Sequence, residues 1–268
     1  MGPTLAVTGK GGVGKTTIAA LMIQWLLAHG ETPVLAVDAD SNANLHELLG
    51  VSYQATVGGI RESARAEAQR LFGVAKQEFL DLRVHEALVE QHGYDLIVMG
   101  RPEGQGCYCF ANNVLREVIR RLAGNYKHVV VDSEAGLEHI SRRTLLTLDF
   151  LCIVSDCSVR GVRTAGRIAD LTEEMGTPVK LRGLIVNRVP ERRLPPLVDQ
   201  EVSATGLRLL AVVPEDPHVA AMDAGGKTVS DIPGGSPARS AVNSLMEELF
   251  AGDLARCAPV LADAQPER

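Results

Sequence analysis

Early in the chain the sequence reads Gly9-Lys10-Gly11-Gly12-Val13-Gly14-Lys15-Thr16-Thr17. This segment fits the phosphate-binding pattern G-x-x-x-x-G-K-[ST] without a mismatch. Its glycines let backbone N–H groups turn inward around phosphate oxygens, and a following helix presents its positive end to the same anion. Lys15 then reaches the β and γ phosphates, and the Thr16 hydroxyl can ligate Mg²⁺. The segment therefore predicts a nucleotide site that includes Mg²⁺.

The surroundings of this loop predict the fold. Residues 5–7 read as a short buried strand and residues 18–28 as an apolar-rich helix, so the loop joins a strand to a helix. Strands and helices alternate along the rest of the chain without a linker. We therefore expect one α/β domain over residues 1–252, with a mostly parallel, doubly wound sheet flanked by helices, and a loose C-terminal tail over residues 253–268.

Composition limits the functional classes. The 268 residues are 46% hydrophobic, and the formal net charge is −6, which gives no electrostatic reason to bind nucleic acid or an anionic membrane. No apolar run is long enough to cross a bilayer, and no secretory signal precedes the first strand. We therefore expect a cytoplasmic protein without a nucleic-acid or membrane partner. Five cysteines are an odd number, so we interpret them as thiols or metal ligands.

Carboxylates follow two of the predicted strands. Residues 34–38 read as a buried strand that ends in Asp38, with Asp40 just beyond, and residues 129–132 end in Asp132. Acids at the carboxyl ends of parallel strands point into the crevice where such sheets bind ligands. Asp132 fits a Walker B acid that holds Mg²⁺ through water. The segment after Asp38 also fits an Asx-rich turn that caps a helix over residues 45–49.

A cysteine pair occurs in a glycine-rich segment. Cys107 and Cys109 are separated by one residue and precede a predicted helix over residues 114–122. A helix N-terminus lowers the pKa of a thiol and favours the thiolate that binds metals. One chain offers two sulfurs where a closed thiolate site needs four, and a two-fold dimer would supply all four. Two incidental cysteines are the alternative, and Cys157, at a strand end, has no assigned role.

Two further regions carry weaker signals. Residues 52–93 are predicted to be largely helical, with helices over 61–72 and 82–91, and no chemistry is assigned to them. Asn187 closes a strand over residues 183–188, and its amide offers the donor and acceptor that suit an adenine edge.

The loop also resembles a known family. Lys10 and the residues through Thr17 resemble the deviant Walker A loop of dimeric ATPases that include nitrogenase iron protein, the MinD and ParA positioning ATPases and metal-site maturation ATPases. The resemblance implies that Lys10 reaches the phosphates of the partner chain and acts with Lys15 and Asp40, which orients or deprotonates the attacking water. It makes Asp38 a supporting group and places four residues at the base: Asn187, Arg188, Pro214 and Asp216.

Two segments narrow the resemblance. Residues 104–109 and 132–139 look like those of the accessory ATPases that mature nickel sites in carbon monoxide dehydrogenase and acetyl-CoA synthase, the CooC type. Ser133 stands where that type is expected to have Thr, which keeps the hydroxyl. The resemblance implies a homodimer promoted by ATP and metal, with Ni²⁺, or Zn²⁺, held between the Cys107 and Cys109 pairs. Its partner would be a client nickel enzyme, either carbon monoxide dehydrogenase or acetyl-CoA synthase.

Two other functions stay open. An iron–sulfur reductase similar to nitrogenase iron protein would hold a cluster at the dimer interface, although residues 133–148 contain no cysteine. A positioning or partitioning ATPase would need an amphipathic membrane-binding helix or a basic patch for DNA, and residues 258–268 have neither character. The sequence does not decide among Ni²⁺, Zn²⁺, Cu⁺ and iron.

Overall fold

Short runs of β-branched and aliphatic residues form the strands of one sheet. The structure, a computed structural model, describes residues 2–59, 86–101, 108–134 and 148–251, and of residues 108–114 it describes the backbone alone. Its strands are β1 (Thr4–Gly9), β2 (Val34–Ala39), β3 (Leu88–Gln91), β4 (Tyr94–Val98), β5 (His128–Ser133), β6 (Leu148–Asp156), β7 (Val179–Val189) and β8 (Arg208–Pro214).

Helices connect most of these strands. They are α1 (Lys15–Ala28), α2 (Leu45–Leu49), α3 (Tyr108–Leu122), α4 (Val159–Glu174), α5 (Pro196–Ala204), α6 (Pro217–Ala224) and α7 (Pro237–Ala251). Within the described ranges, none of them is long and apolar enough to cross a membrane.

The strand order is β3-β4-β2-β5-β1-β6-β7-β8. Every neighbouring pair is parallel except β3 and β4, which are antiparallel. The chain starts at the central strand β1 and winds outward in both directions. The predicted α/β fold with a mostly parallel, doubly wound sheet is confirmed.

Alternate residues of the strands face two separate apolar layers. Leu5 and Val7 of β1 pack with α1, α2, α6 and α7 on one face of the sheet. Ala6 of β1 packs on the opposite face with α3, α4 and α5. Both faces are covered, which explains why the strands read as continuous apolar runs rather than as alternating patterns. Polar residues of the central strands are therefore expected mainly at their ends.

The carboxyl ends of the parallel strands meet at one edge of the sheet. Gly9 of β1 is in register with Val154 of β6, and Asp38 of β2 with Asp132 of β5. Asn187, near the end of β7, is in register with Asp156. Residues far apart in sequence but predicted to act together are thus brought to the same edge.

The prediction for residues 82–91 is wrong over its last four residues. The chain is helical at residues 86 and 87 and then forms strand β3. Leu88 pairs with Ile97 and Gln91 with Tyr94, so the hairpin with β4 prevails over local helix propensity. Helices α5 and α6 were not predicted. The predicted helix over 61–72 and the tail over 253–268 lie outside the described residues.

Candidate nucleotide-binding site

The glycine-rich loop joins β1 to α1 and ends in a left-handed residue. Gly14 has φ 92° and ψ 24° and forms the N-cap of α1. A Cβ on Gly14 would lie 2.4 Å from Asn187 Nδ2, and a Cβ on Gly9 would lie 2.2 Å from the carbonyl oxygen of Val154. Neither position accepts a side chain without displacement of its neighbour. The first turn of α1 has no acidic residue and no side-chain cap, so its N–H groups suit an anion.

The two lysines of the loop have different environments. Lys15 is 6% exposed, and its ammonium donates a hydrogen bond to the carbonyl oxygen of Lys10 at 3.3 Å. The side chain of Lys10 is exposed, as are Gly11 and Gly12. Lys15 therefore lies over its own loop, whereas the charge of Lys10 is available to another molecule.

Two fully buried carboxylates occupy paired positions on β2 and β5. Asp38 accepts hydrogen bonds from the backbone N–H groups of Asp40 at 3.2 Å and Leu45 at 2.9 Å. Neither oxygen of Asp132 has a hydrogen-bond partner among the described residues. Burial, followed by the charge of Asp132, raises the pKa of Asp38 to about 7. Asp38 is thus held by backbone donors, while Asp132 lacks them.

The surroundings of Asp132 suit a hard cation. Burial raises its pKa to about 6, although the Thr16 hydroxyl and the Lys15 ammonium both lower it. The hydroxyl lies near enough to affect that pKa, yet it does not meet hydrogen-bond geometry with either oxygen. A buried acid without donors, beside a hydroxyl, has the oxygen ligands that Mg²⁺ takes, directly or through water. The residues present therefore fit a magnesium nucleotide.

The segment after β2 forms a closed turn. Asp40 Oδ1 accepts hydrogen bonds from the backbone N–H of Asn42 at 2.8 Å and from its side-chain amide at 3.1 Å. The Ala43 N–H donates to the carbonyl oxygen of Asp40 at 3.1 Å, and Ala43 has a φ of 54°. The predicted Asx turn is present. The cap of α2 comes from Asp38, because Asn44 makes no side-chain cap bond.

Two side chains from neighbouring strands hold this turn. The Ser41 hydroxyl donates to Glu134 Oε1 at 2.7 Å, and Glu134 follows β5. Arg101, just after β4, donates from a guanidinium N–H to Asn42 Oδ1 at 3.1 Å. Neither Glu134 nor Arg101 was predicted as a site residue, and their positions just beyond strand ends were the available signal.

An open cavity of about 640 Å³ lies beside the loop, a size that suits a small-molecule ligand. Its lining includes all four predicted base-side residues and two residues of the loop: Asn187, Arg188, Pro214, Asp216, Gly14 and Thr17. Glu191, Glu215 and Asp223 also line it. Glu191 and Asp223 were not predicted as site residues, and Asp223 belongs to α6, an element that sequence reasoning missed.

Asn187 contacts the loop as well as the cavity. Its Nδ2 donates to the carbonyl oxygen of Val13 at 2.8 Å, and its Oδ1 accepts from the backbone N–H of Arg188 at 2.9 Å. The Arg188 guanidinium donates to the carbonyl oxygen of Gly12 at 3.1 Å. Asn187 therefore fixes the loop in addition to lining the cavity, a role that the sequence did not indicate.

Asp216 joins two helix starts. Its Oδ1 accepts from the backbone N–H of His218, at 2.8 Å, where α6 begins. Its Oδ2 accepts from the Ser236 hydroxyl and from the backbone N–H of Ala238, at 3.0 Å, where α7 begins. Burial would raise the pKa of Asp216, but these donors and the neighbouring His218 hold it below its ordinary value. Both oxygens are thus engaged within the protein.

The predicted thiolate site lies largely outside the described residues. Cys107 is not among them, and Cys109 lies in α3 with its backbone alone described. Cys152 is fully buried in β6 as a core residue, and Cys157 is half-buried, with its pKa raised by burial and by the charges of Asp156 and Glu215. The part of the chain that the structure describes contains no group of three His, Cys, Asp or Glu residues that could hold a metal.

Comparison with known proteins places this geometry in context. A model of the CobQ/CobB/MinD/ParA nucleotide-binding domain matches residues 4–229. An uncharacterized ATP-binding protein of Methanocaldococcus jannaschii is 41% identical over an alignment of 250 positions that covers 92% of this chain and 98% of that protein. The carbon monoxide dehydrogenase accessory protein CooC of Rhodospirillum rubrum is 31% identical over an alignment of 267 positions that covers 92% of this chain and 95% of that protein.

Solved structures share the fold. The septum site-determining protein MinD of Pyrococcus horikoshii, complexed with Mg-ADP, superposes with a TM-score of 0.68 at 24% identity. The match covers 94% of this chain and 98% of that one. A ParA family ATPase of Chlorobium tepidum gives the same TM-score at 22% identity, over 92% of this chain and 99% of that one.

Proposed function

This chain is an ATPase that belongs to the CobQ/CobB/MinD/ParA nucleotide-binding family, and on that premise we propose that it serves nickel-enzyme maturation. In this proposal a homodimer holds Ni²⁺ between the Cys107 and Cys109 pairs of its two chains. It delivers the ion to a client, carbon monoxide dehydrogenase or acetyl-CoA synthase. The carrying observation is the relationship to the Rhodospirillum rubrum accessory protein over nearly the full length of both chains, in a sequence with a C-x-C segment.

Proposed nucleotide roles follow from the contacts of the site. The first turn of α1 and Lys15 bind the phosphates, and the base enters the cavity lined by Asn187. The Thr16 hydroxyl would hold Mg²⁺ and Asp132 would hold it through water, which agrees with Asp132 oxygens that have no hydrogen-bond partner among the described residues. Mg²⁺ there neutralises phosphate charge. Asp40 orients the attacking water from the turn beside Asp132.

A link between the site and the cysteine segment supports coupling of hydrolysis to metal handling. Arg101 directly precedes the segment that contains Cys107, and its guanidinium binds Asn42 in the turn that carries Asp40. A nucleotide that moves the turn would therefore displace Arg101, which is bound to Asn42 of that turn. We infer that ATP binding closes the dimer and hydrolysis reopens it, a shift between two states of the cysteine site.

The test is metal content measured together with mass, on protein prepared without oxygen and incubated with Ni²⁺ and ATP. Wild type should bind one nickel per dimer, and the double variant Cys107→Ser, Cys109→Ser should bind none. Cys157→Ser is the matched control, because it removes a half-buried thiol outside the pair and should keep the nickel.

Other outcomes would contradict the proposal in distinct ways. Iron and sulfide with a brown chromophore would favour the iron–sulfur reductase. ATP hydrolysis without any cysteine-dependent metal would favour an ATPase that positions another molecule, and it would make the metal assignment wrong. Normal maturation of a client by the double cysteine variant would exclude nickel delivery by this pair.

A further inference from the structure

Two loops of the nucleotide site meet through one hydrogen bond. The Ser41 hydroxyl donates to Glu134 Oε1 at 2.7 Å, although the two residues are 93 positions apart in sequence. Ser41 follows β2 and Glu134 follows β5, and these strands are neighbours in register from Val34 to Ala39. The bond therefore spans the two strand ends that carry Asp38, Asp40 and Asp132.

The backbone on the Glu134 side is fixed to the central strand. The Thr8 hydroxyl donates to the carbonyl oxygen of Glu134 at 2.9 Å. The Ser133 hydroxyl donates to the carbonyl oxygen of Val7 at 3.1 Å. Thr8 and Ser133 are fully buried, and β1 leads directly into the phosphate loop. Glu134 therefore projects its carboxylate from a backbone that is held at the loop.

The Ser41 side is a small unit closed by its own hydrogen bonds. Asn42 donates twice to Asp40 Oδ1, and the Ala43 N–H donates to the Asp40 carbonyl oxygen. A residue inside such a closed turn does not move alone. A bond that restrains Ser41 therefore also restrains the turn that carries the Asp40 carboxylate.

We propose that Glu134 is a positioning residue for ATP hydrolysis: it holds Ser41 and thereby fixes Asp40 beside the phosphate loop. The inference rests on the role of Asp40 in the proposed function. Glu134 acts as a hydrogen-bond acceptor, so an amide oxygen at the same position would serve in its place. A direct catalytic carboxylate would not tolerate that exchange.

The experiment is steady-state ATP hydrolysis with Mg²⁺, together with Mg-ADP affinity, for wild type, S41A, E134A, E134Q and the S41A/E134A double variant. S41A and E134A should each lower kcat about tenfold, the loss expected for one hydrogen bond to a charged group. The KM for ATP and the Kd for Mg-ADP should change less than about twofold, because neither Ser41 nor Glu134 lines the cavity. E134Q should restore kcat to within about threefold of wild type.

The double variant tests the coupling. If Ser41 and Glu134 act through their mutual bond, the S41A/E134A double variant should be as active as the less active of the two single variants. Additive losses, or wild-type activity in E134A, would overturn the proposal. E134Q as inactive as E134A would also overturn it, because Glu134 would then act through its charge.

Two further variants complete the series. S230A removes a side-chain hydrogen bond to Gln24 of 2.8 Å outside the site and should leave kcat unchanged. D40N should abolish most hydrolysis. If D40N is active, the proposed role of Asp40 fails and this inference fails with it. If D40N is inactive but E134A is not, only the inference fails. Should E134A not fold, S41A with E134Q gives the same decision.

Discussion

At the scale of single residues, the two buried carboxylates of the site differ in the hydrogen-bond donors around them. Asp38 and Asp132 stand at paired positions and are equally buried. Asp38 accepts two backbone N–H groups, whereas Asp132 accepts none among the described residues. An unpartnered buried carboxylate destabilises the protein unless it is protonated or binds a cation. The proposed Mg²⁺ would supply Asp132 with such a partner.

A pH dependence follows for the nucleotide-free protein. Burial raises the pKa of Asp132 from 3.8 to about 6, so between those values the folded state binds more protons than the unfolded state. The free energy of unfolding therefore falls by about 3 kcal/mol as the pH rises from 4 to above 6, because Asp132 loses its proton in the folded state. D132N removes a charge without breaking a hydrogen bond to Asp132. In EDTA it should raise the melting temperature more at pH 8 than at pH 5.

The control for that measurement is Asp223→Asn, which removes a carboxylate from the exposed rim of the cavity. It should change the melting temperature equally little at both pH values. An equal shift for D132N at pH 5 and pH 8 would contradict the raised pKa.

Glycine positions in the loop should differ sharply. Alanine at Gly14 would be left-handed, with its Cβ 2.4 Å from Asn187 Nδ2, whereas a Cβ at Gly11 would meet no atom within 4 Å. G14A should lower the free energy of unfolding by roughly 2 kcal/mol or more, and G11A by less than about 0.5 kcal/mol. Urea unfolding without nucleotide measures both, and similar losses would mean that the loop rearranges around either methyl group.

At the scale of elements, the site is built from strand ends and helix starts. Helix α1 begins at the loop, and the first turns of α6 and α7 both donate hydrogen bonds to Asp216. A carboxylate at a helix N-terminus interacts favourably with the helix dipole, and here one carboxylate serves two helices. Asp216 thereby positions the wall of the cavity that α6 forms.

Removal of this shared cap should lower the free energy of unfolding rather than the rate of ATP hydrolysis. D216N replaces one acceptor oxygen with an amide that cannot accept, and it should lower the free energy of unfolding by about 2–3 kcal/mol at pH 7. D223N again serves as the matched control on the same cavity. Urea unfolding of both variants measures the difference, and a D216N protein as stable as D223N would show that the two helix starts find other partners.

At the scale of the whole molecule, strand order brings the groups together. Because β1 lies between β5 and β6, the loop after β1 faces the acids of β2 and β5 on one side and Asn187 of β7 on the other. Open α/β sheets bind ligands where the direction of winding reverses. Lys10 of this loop is exposed, whereas Lys15 is buried.

The two lysines should therefore separate binding from catalysis. K15A should weaken Mg-ADP binding more than tenfold, because Lys15 lies over its own loop. K10A should leave that affinity within about threefold, yet lower ATP hydrolysis at least tenfold and prevent the proposed ATP-dependent dimerisation. Calorimetry, ATPase assay and light scattering on the same preparations measure these effects. Equal loss of Mg-ADP affinity in both variants would place Lys10 on the nucleotide of its own chain.

Local sequence was sufficient for part of this description. The loop between a strand and a helix and the acids at the ends of β2 and β5 were predictable, because each depends on residues within about ten positions, and the parallel sheet was predictable from the alternation of strands and helices. Strand β3 was not, since its pairing with β4 opposes its helical propensity. Helices α5 and α6 are short, nine and eight residues, and weakly patterned.

The partners of individual polar atoms were beyond sequence reasoning. Asn187 binds the carbonyl oxygen of Val13 across 174 positions, and Ser41 binds Glu134 across 93. The sequence determined that a phosphate loop and its acids exist, because backbone conformation and hydrophobic pattern are local properties. The tertiary structure decided which acid has donors, which amide holds the loop and which serine meets a carboxylate, because the packing of the sheet determines which distant side chains come within 3 Å.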